Sequence, residues 1–315
     1  MKKTLLIAMA VFTVVAFTAC KKEGVYKPGN KITKIYSSSH WEYSYYSEYS
    51  NGWTTTTSET PKYLREKWKW DGKLLKSIER YDSDGKFRYS IDIKYDGKRI
   101  EKIERSDEDN YIEYSYDGRK LEKIEYYYEG MLYTEVEVEH DGNKITELKY
   151  TYYDNKKSSS HFDDMMEISM RMFMPNEEAA RHVADVVKKA SKGGTEVWTV
   201  SIDWDGKNIS EVVSNESGSS HKHTCKYEYD DNKNPYKGFV LELGEEGEEL
   251  CLYGSKNNVT KETSTCSESD DGPEVTTYSY DYDGKWPTKQ TCTNSYSGEN
   301  SRSTYTYITY FEYDD

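Results

Sequence analysis

An internal repeat constrains this chain more than any other feature of its sequence. The core of the repeat is an aromatic residue, Asp, Gly and a polar residue, followed after a spacer by an aliphatic, two further residues and a second aliphatic. It runs as Trp70-Asp71-Gly72-Lys73 with Leu75 and Ile78, and as Tyr95-Asp96-Gly97-Lys98 with Ile100 and Ile103. It returns as Tyr116-Asp117-Gly118-Arg119 with Leu121 and Ile124, His140-Asp141-Gly142-Asn143 with Ile145 and Leu148, and Trp204-Asp205-Gly206-Lys207 with Ile209 and Val212. Weaker copies are Gly29-Asn30-Lys31-Ile32, Tyr229-Asp230-Asp231-Asn232, Asn257-Asn258-Val259 and Tyr282-Asp283-Gly284-Lys285. A period of roughly twenty to thirty residues marks a repeat architecture, in which each unit is one supersecondary element.

Asp-Gly between two apolar-alternating runs is a hairpin signal, because the tight turn needs positive φ that Gly and Asp tolerate. Each repeat therefore reads as strand, turn, strand. Tyr89, Ile91, Ile93 and Tyr95 alternate with Arg88, Ser90, Asp92 and Lys94, the period of a half-buried strand with one apolar and one charged face. Return turns fall at Asp82-Ser83-Asp84-Gly85 and Asp107-Glu108-Asp109-Asn110. About nine repeats imply on the order of 18 antiparallel strands, more than an open sheet holds without curling or splitting. The expected fold is mainly β: a long twisted sheet, curled or in two layers, with nothing in the repeat to say whether it closes.

Leu, Ile, Val and Phe together make up under roughly a fifth of the chain, a composition that by itself favours disorder. The missing apolar area is supplied by 32 tyrosines and 7 tryptophans, which prefer strands and bury large rings. One segment breaks the β pattern. Pro175 to Glu178 start a helix, Ala179, Ala180, Val183, Val186, Val187 and Ala190 form one apolar stripe, and Gly193-Gly194 end it, predicting an amphipathic helix over 176–192. Before it, Met166, Ile168, Met170, Met172 and Met174 alternate with polar residues.

The N-terminus carries Lys2 and Lys3 and then an apolar run from Leu5 to Phe17, too short to span a bilayer as a helix. Residues 1–19 read as a signal peptide, and Phe17-Thr18-Ala19 leading into Cys20 suits lipid modification of that cysteine. Acyl chains on Cys20 would anchor the protein to the cell envelope, with outer-membrane placement expected; residues 20–28 would be a tether and 29–315 a single domain. The formal net charge of −14 argues against a nucleic-acid partner.

The turn motif resembles the tyrosine-aspartate repeats of large bacterial shell proteins. The C-terminal part is similar to lipoproteins of the Bacteroidales that form a family of unknown function. That second resemblance rests on Tyr229-Asp230-Asp231-Asn232-Lys233-Asn234-Pro235-Tyr236, on Ser255-Lys256-Asn257-Asn258-Val259-Thr260-Lys261, and on Tyr282-Asp283-Gly284-Lys285-Trp286-Pro287-Thr288. It implies a secreted, anchored, all-β domain and supplies no catalytic residues.

Candidate chemistry is sparse. Cys225, Cys251, Cys266 and Cys292 allow two disulfides with three connectivities, and none is chosen. His221, His223 and Cys225 alternate along a strand and would share one face, a geometry open to a soft metal, but a fourth ligand is not evident and no metal is expected. Asp82, Asp84 and Gly85 look like the start of a calcium loop without its closing acid, so turn chemistry accounts for them. The sequence holds no phosphate-cradling loop, zinc-protease motif or nucleophile elbow, so neither a cofactor nor an enzyme is expected. Two roles remain: a binding or scaffold protein of the envelope, or a glycan binder stacking sugars on Trp41, Tyr45, Tyr46, Tyr49 and Trp53.

Overall fold

The computed structural model describes residues 23–47, 52–153, 196–217, 222–237, 254–267, 272–297 and 301–314. The strands begin with β1 (Ile32–Ser47), β2 (Gly52–Asp71), β3 (Leu74–Tyr81) and β4 (Phe87–Asp96). They continue with β5 (Arg99–Arg105), β6 (Tyr111–Asp117), β7 (Lys120–Tyr128) and β8 (Met131–Asp141). Next come β9 (Lys144–Tyr152), β10 (Glu196–Asp205), β11 (Asn208–Glu216) and β12 (Lys222–Tyr229). The last are β13 (Val259–Cys266), β14 (Glu274–Asp283), β15 (Trp286–Ser297) and β16 (Ser301–Tyr313). Each strand pairs antiparallel with its neighbours in the chain, and β1 pairs with β16, so the sheet closes into a barrel.

Closure corrects the expectation of a long twisted sheet, curled or in two layers. The repeats number eight, two strands each, and the eighth is divided between the chain ends. Tyr313 and Asp314 supply its first half, Lys31, Ile32 and Ile35 its second, and Asp314 N donates to Lys31 O at 2.9 Å. Joining the halves removes both sheet edges, which would otherwise expose unpaired backbone groups. Tyr229-Asp230 and Asn258-Val259, counted above as two copies, are the halves of a single repeat whose turn is replaced by a long excursion; Asp230 N donates to Asn258 O at 3.0 Å. The helix expected at 176–192 and the methionines before it lie outside the described residues, and no helix is among the described elements.

A bulge explains the spacing of the two aliphatics. Trp70 faces Leu75 while Trp68 faces Ile78, so the returning strand holds one extra residue. The same shift sets Tyr95 against Ile100 and Ile93 against Ile103, and it recurs through Tyr313 opposite Ile32 and Phe311 opposite Ile35. Both aliphatics thereby point inward despite being three apart. Leu75, Ile100, Ile124, Leu148 and Ile209 are at most 1% exposed, each burial stabilising by about 1.5–3 kcal/mol. Gly97, at φ 62°, supplies the left-handed turn residue in one of these hairpins.

The aromatic of each repeat does more than fill space. Tyr95 OH donates to Leu75 O (2.7 Å), Tyr116 OH to Ile100 O (2.6 Å), Trp204 Nε1 to Ile145 O (2.7 Å) and Tyr313 OH to Pro287 O (2.8 Å). Trp70 Nε1 donates to Ile32 O (2.7 Å), carrying the ring of bonds across the point of closure. In each case the acceptor is the carbonyl of the first inward residue of the preceding repeat. Such a carbonyl would lose this partner under a phenylalanine, which accounts for the Tyr or Trp at these five repeats; His140 and Tyr282 instead meet the carboxylates of Glu23 and Asp230.

Two segments close the end of the barrel at which the Asp-Gly turns lie. Glu23 to Lys31 crosses it from β7 to β1, and residues 230–237 and 254–258, the described parts of the connection between β12 and β13, enter from the other side. Glu23 N donates to Arg119 O (3.0 Å), and the Glu23 carboxylate accepts from Leu121 N (2.7 Å) and meets His140 Nε2 (2.9 Å). Ile100 N donates to Gly24 O (2.9 Å), and Ile209 N to Ser255 Oγ (3.0 Å). These plug groups thus satisfy backbone donors at bulge positions. Gly24, at φ 72°, lies so close to Tyr116 that a Cβ would fall on its ring. The two segments meet where Tyr26, 1% exposed, donates from its hydroxyl to Pro235 O at 2.9 Å.

The outer face is charged on every side. Lys94 pairs with Glu104 (2.6 Å), Lys149 with Glu137 (2.8 Å), Lys261 with Glu228 (2.9 Å) and Lys34 with Glu312 (2.9 Å). Lys69 with Glu79, Lys123 with Glu135 and Lys226 with Glu211 continue the pattern. A lipid-facing barrel carries an apolar band there, and each Lys or Arg at the bilayer midplane costs about 2–4 kcal/mol.

Candidate functional site

Along most of the circumference the second inward position of the repeat is aliphatic: Ile35, Ile78, Ile103, Ile124, Leu148 and Val212. On β13 and β15 it is Glu262 and Gln290, opposite Tyr227 and Tyr280 respectively. Departures from a repeat rule concentrate where function or strain overrides packing. Glu262 Oε2 accepts from Tyr278 OH at 3.2 Å. Burial pushes its carboxyl up to about 7; the Glu274 carboxylate adds to this, while bonds from Tyr278 and Cys225 oppose it. Cys292, 4% exposed, is pushed up to about 12 by burial and by the Glu262 charge, so its thiol stays protonated at neutral pH. Gln290 Nε2 donates to Tyr280 OH at 3.0 Å, and both line a cavity of about 10 Å³ under Tyr236 and Phe311, the room of one water.

Three strands from β15, across β16 and β1, the lumen holds an ionic cluster on β2 and β3. Glu66, 3% exposed, accepts from Arg80 Nη1 (2.7 Å), Arg65 Nε (3.0 Å) and Trp68 Nε1 (2.6 Å), and Arg65 also donates to Tyr307 OH. Burial would raise the Glu66 carboxyl, but Arg80 and Arg65 outweigh it and hold the group below its ordinary value. Every oxygen of Glu66 is occupied, so the cluster serves to hold β2 and β3 in register.

β1, β2, β15 and β16 run beyond their neighbours at the end opposite the plug: β2 has 20 residues where β5 has 7. On this extension the structure splits the five aromatics expected to stack on sugars. Trp41 and Tyr45 continue the inward face of Ile35 and Ser37, whereas Tyr46 and Trp53 face each other on the outer side with Arg302 over the Trp53 ring at 4.5 Å. Tyr49 lies outside the described residues. Tyr43, not singled out in the sequence, completes the inward row. Its ring is 5.8 Å from Trp41 at an interplanar angle of 4° and 6.0 Å from Tyr45 at 27°. The signal for it was the period of two along β1.

The remaining candidates are partly brought together. His223 and Cys225 share the inward face of β12, Cys225 Sγ lying 3.8 Å from His223 Nδ1, and His223 Nε2 meets Ser264 Oγ at 2.6 Å. His221 lies outside the described residues, among which no cluster of three metal-ligating side chains occurs. Cys225, Cys266 and Cys292 stand as thiols on β12, β13 and β15; Cys251 and Cys20 lie outside the described residues. Asp82 makes an ordinary turn, its Oδ1 accepting from Asp84 N (3.1 Å) and Lys86 N (2.9 Å).

No protein-family profile matches the chain, and no curated protein does. The architecture has solved counterparts. The crystal structure of a porin-like protein from Bacteroides uniformis aligns with a TM-score of 0.50 at 9% identity, covering 93% of this chain and all of that one. A porin-like protein from Bacteroides vulgatus gives a TM-score of 0.47 at 12% identity, covering 90% of this chain and 99% of that one. At such identity the likeness concerns the fold alone.

Proposed function

We propose that this chain is a non-catalytic binding protein of the bacterial envelope, a barrel that stands in water on a lipid anchor at Cys20 instead of spanning the bilayer. The observation that carries the proposal is the belt of Lys-Glu pairs around the outer face, which would be costly against lipid and is ordinary in water. The plug supports it from inside, since two hydrogen-bonded segments meet across one end where an open pore would need a passage. With Cys20 three residues before Glu23, and each residue reaching at most about 3.6 Å, the anchor holds the plugged end within roughly 11 Å of the membrane. The long hairpins of β1–β2 and β15–β16 then project away from it.

Replacing Cys20→Ser tests this directly. The variant is expected to leave the membrane fraction and remain monodisperse without detergent, while the unaltered chain stays membrane-bound. A variant that still required detergent, or an unaltered chain that conducted ions across a planar bilayer, would overturn the proposal.

A further inference from the structure

On the extended wall, the row Trp41, Tyr43 and Tyr45 is flanked on both sides by hydroxyls. On β2 the residues directly opposite are Ser58, Thr56 and Thr54, all exposed; on β16 they are Tyr305, Ser303 and Ser301. At these nine positions the inward face carries no charged side chain. The outer face of the same strands does carry charge, at Glu42, Glu59 and Arg302. The rings are not sealed in: Tyr45 is 41% exposed, and Trp41 and Tyr43 are half-buried. With ring centres 5.8 Å and 6.0 Å apart, the three rings make a track about 12 Å long between its outer centres, running along the strand.

We infer that this inner wall is a binding surface for a linear, uncharged carbohydrate chain, with Trp41, Tyr43 and Tyr45 stacking on sugar rings and the serine and threonine rows meeting sugar hydroxyls. The inference deepens the reading of the barrel as an envelope binding protein and rests on it. The chemistry of the face selects this occupant. A sugar ring has an apolar C–H face and a rim of hydroxyls, which matches an aromatic strip between two hydroxyl rows. A charged peptide or nucleic acid finds no ion partner among the nine positions, and an acyl chain would sit against hydroxyls on both flanks. The outward Tyr46, Trp53 and Arg302 form a separate group, held to each other at the hairpin tip.

The test uses the full-length chain purified in mild detergent, with hexaoses of glucose, xylose and mannose and their parent polysaccharides as probes, read by calorimetry and by tryptophan fluorescence. At least one probe is expected to bind. Trp41→Ala and Tyr43→Ala should each weaken binding at least tenfold, Tyr43→Phe should stay within twofold because the ring remains, and Tyr46→Ala and Trp53→Ala should stay within twofold because those rings face outward. Circular dichroism and thermal melting establish that each variant is folded. No binding by any probe to the folded chain would overturn the inference, as would equal losses from the inward and outward substitutions. Membrane release of Cys20→Ser, measured on the same preparations, separates the two claims. Release without sugar binding removes only the ligand assignment, and failure of release removes the underlying reading.

Discussion

Glu262 makes the barrel's stability depend on pH in a direction unusual for a carboxylate. In the unfolded chain the group ionises near its ordinary value of 4.5; in the lumen wall, burial pushes it up to about 7. Between those values the folded protein holds a proton that the unfolded chain has lost, so stability falls as pH rises. Each pH unit across that interval costs about 1.4 kcal/mol, about 3 kcal/mol in all by pH 8. The stabilising protonated state is fully present below pH 4.5, and its advantage is gone once the pH passes 7. Glu262→Gln keeps the shape and a partner for Tyr278 while removing the titration. Urea unfolding at pH 5, 6, 7 and 8 should show the unaltered chain losing stability relative to the glutamine variant, with the gap widening to about 3 kcal/mol at pH 8. Parallel curves for the two proteins would refute the placement of this carboxyl in a poorly solvated wall.

Other parts of the structure make equally specific demands. Glu66→Gln should destabilise the barrel by about 3–5 kcal/mol at pH 7, because Arg65 and Arg80 would be left buried without their carboxylate; a loss below about 1 kcal/mol in a denaturation series would contradict the cluster. Tyr116→Phe retains the ring but strips the Ile100 carbonyl of its donor, and should cost about 1–3 kcal/mol in the same assay, whereas Tyr45→Phe, whose ring is exposed, should cost nothing measurable.

Much of this architecture was legible in the sequence, and the parts that were not have identifiable causes. Asp-Gly turns and alternating faces disclosed the hairpins because both are local signals. Closure was hidden because its repeat is divided, Tyr313-Asp314 at one end of the chain and Lys31-Ile32 at the other, so neither half reads as a complete unit. The excursion between Asp230 and Asn258 inflated the number of repeats for a related reason: a single turn had been replaced by plug residues. The spacing of paired aliphatics such as Leu75 and Ile78 was visible, but the bulge that reconciles it with a strand requires the partner strand. Glu262 could have been found from Val259-x-x-Glu262, where the repeat asks for a second aliphatic. The aromatic cluster was noticed for its density, yet density does not say which rings share a face; counting by twos from Ile35 selects Trp41, Tyr43 and Tyr45 and leaves out Tyr46.

The barrel wall is proposed to face water. Spin labels at Lys94→Cys and Glu113→Cys, on the outer face of β4 and β6, measure it most directly when the membrane-anchored protein is exposed to oxygen and to a water-soluble nickel chelate. Relaxation dominated by the chelate at both positions, with no gradient along the barrel axis, is the expected result. Relaxation dominated by oxygen, rising towards the middle of the wall, would mean that the wall lies in lipid and would contradict the proposal.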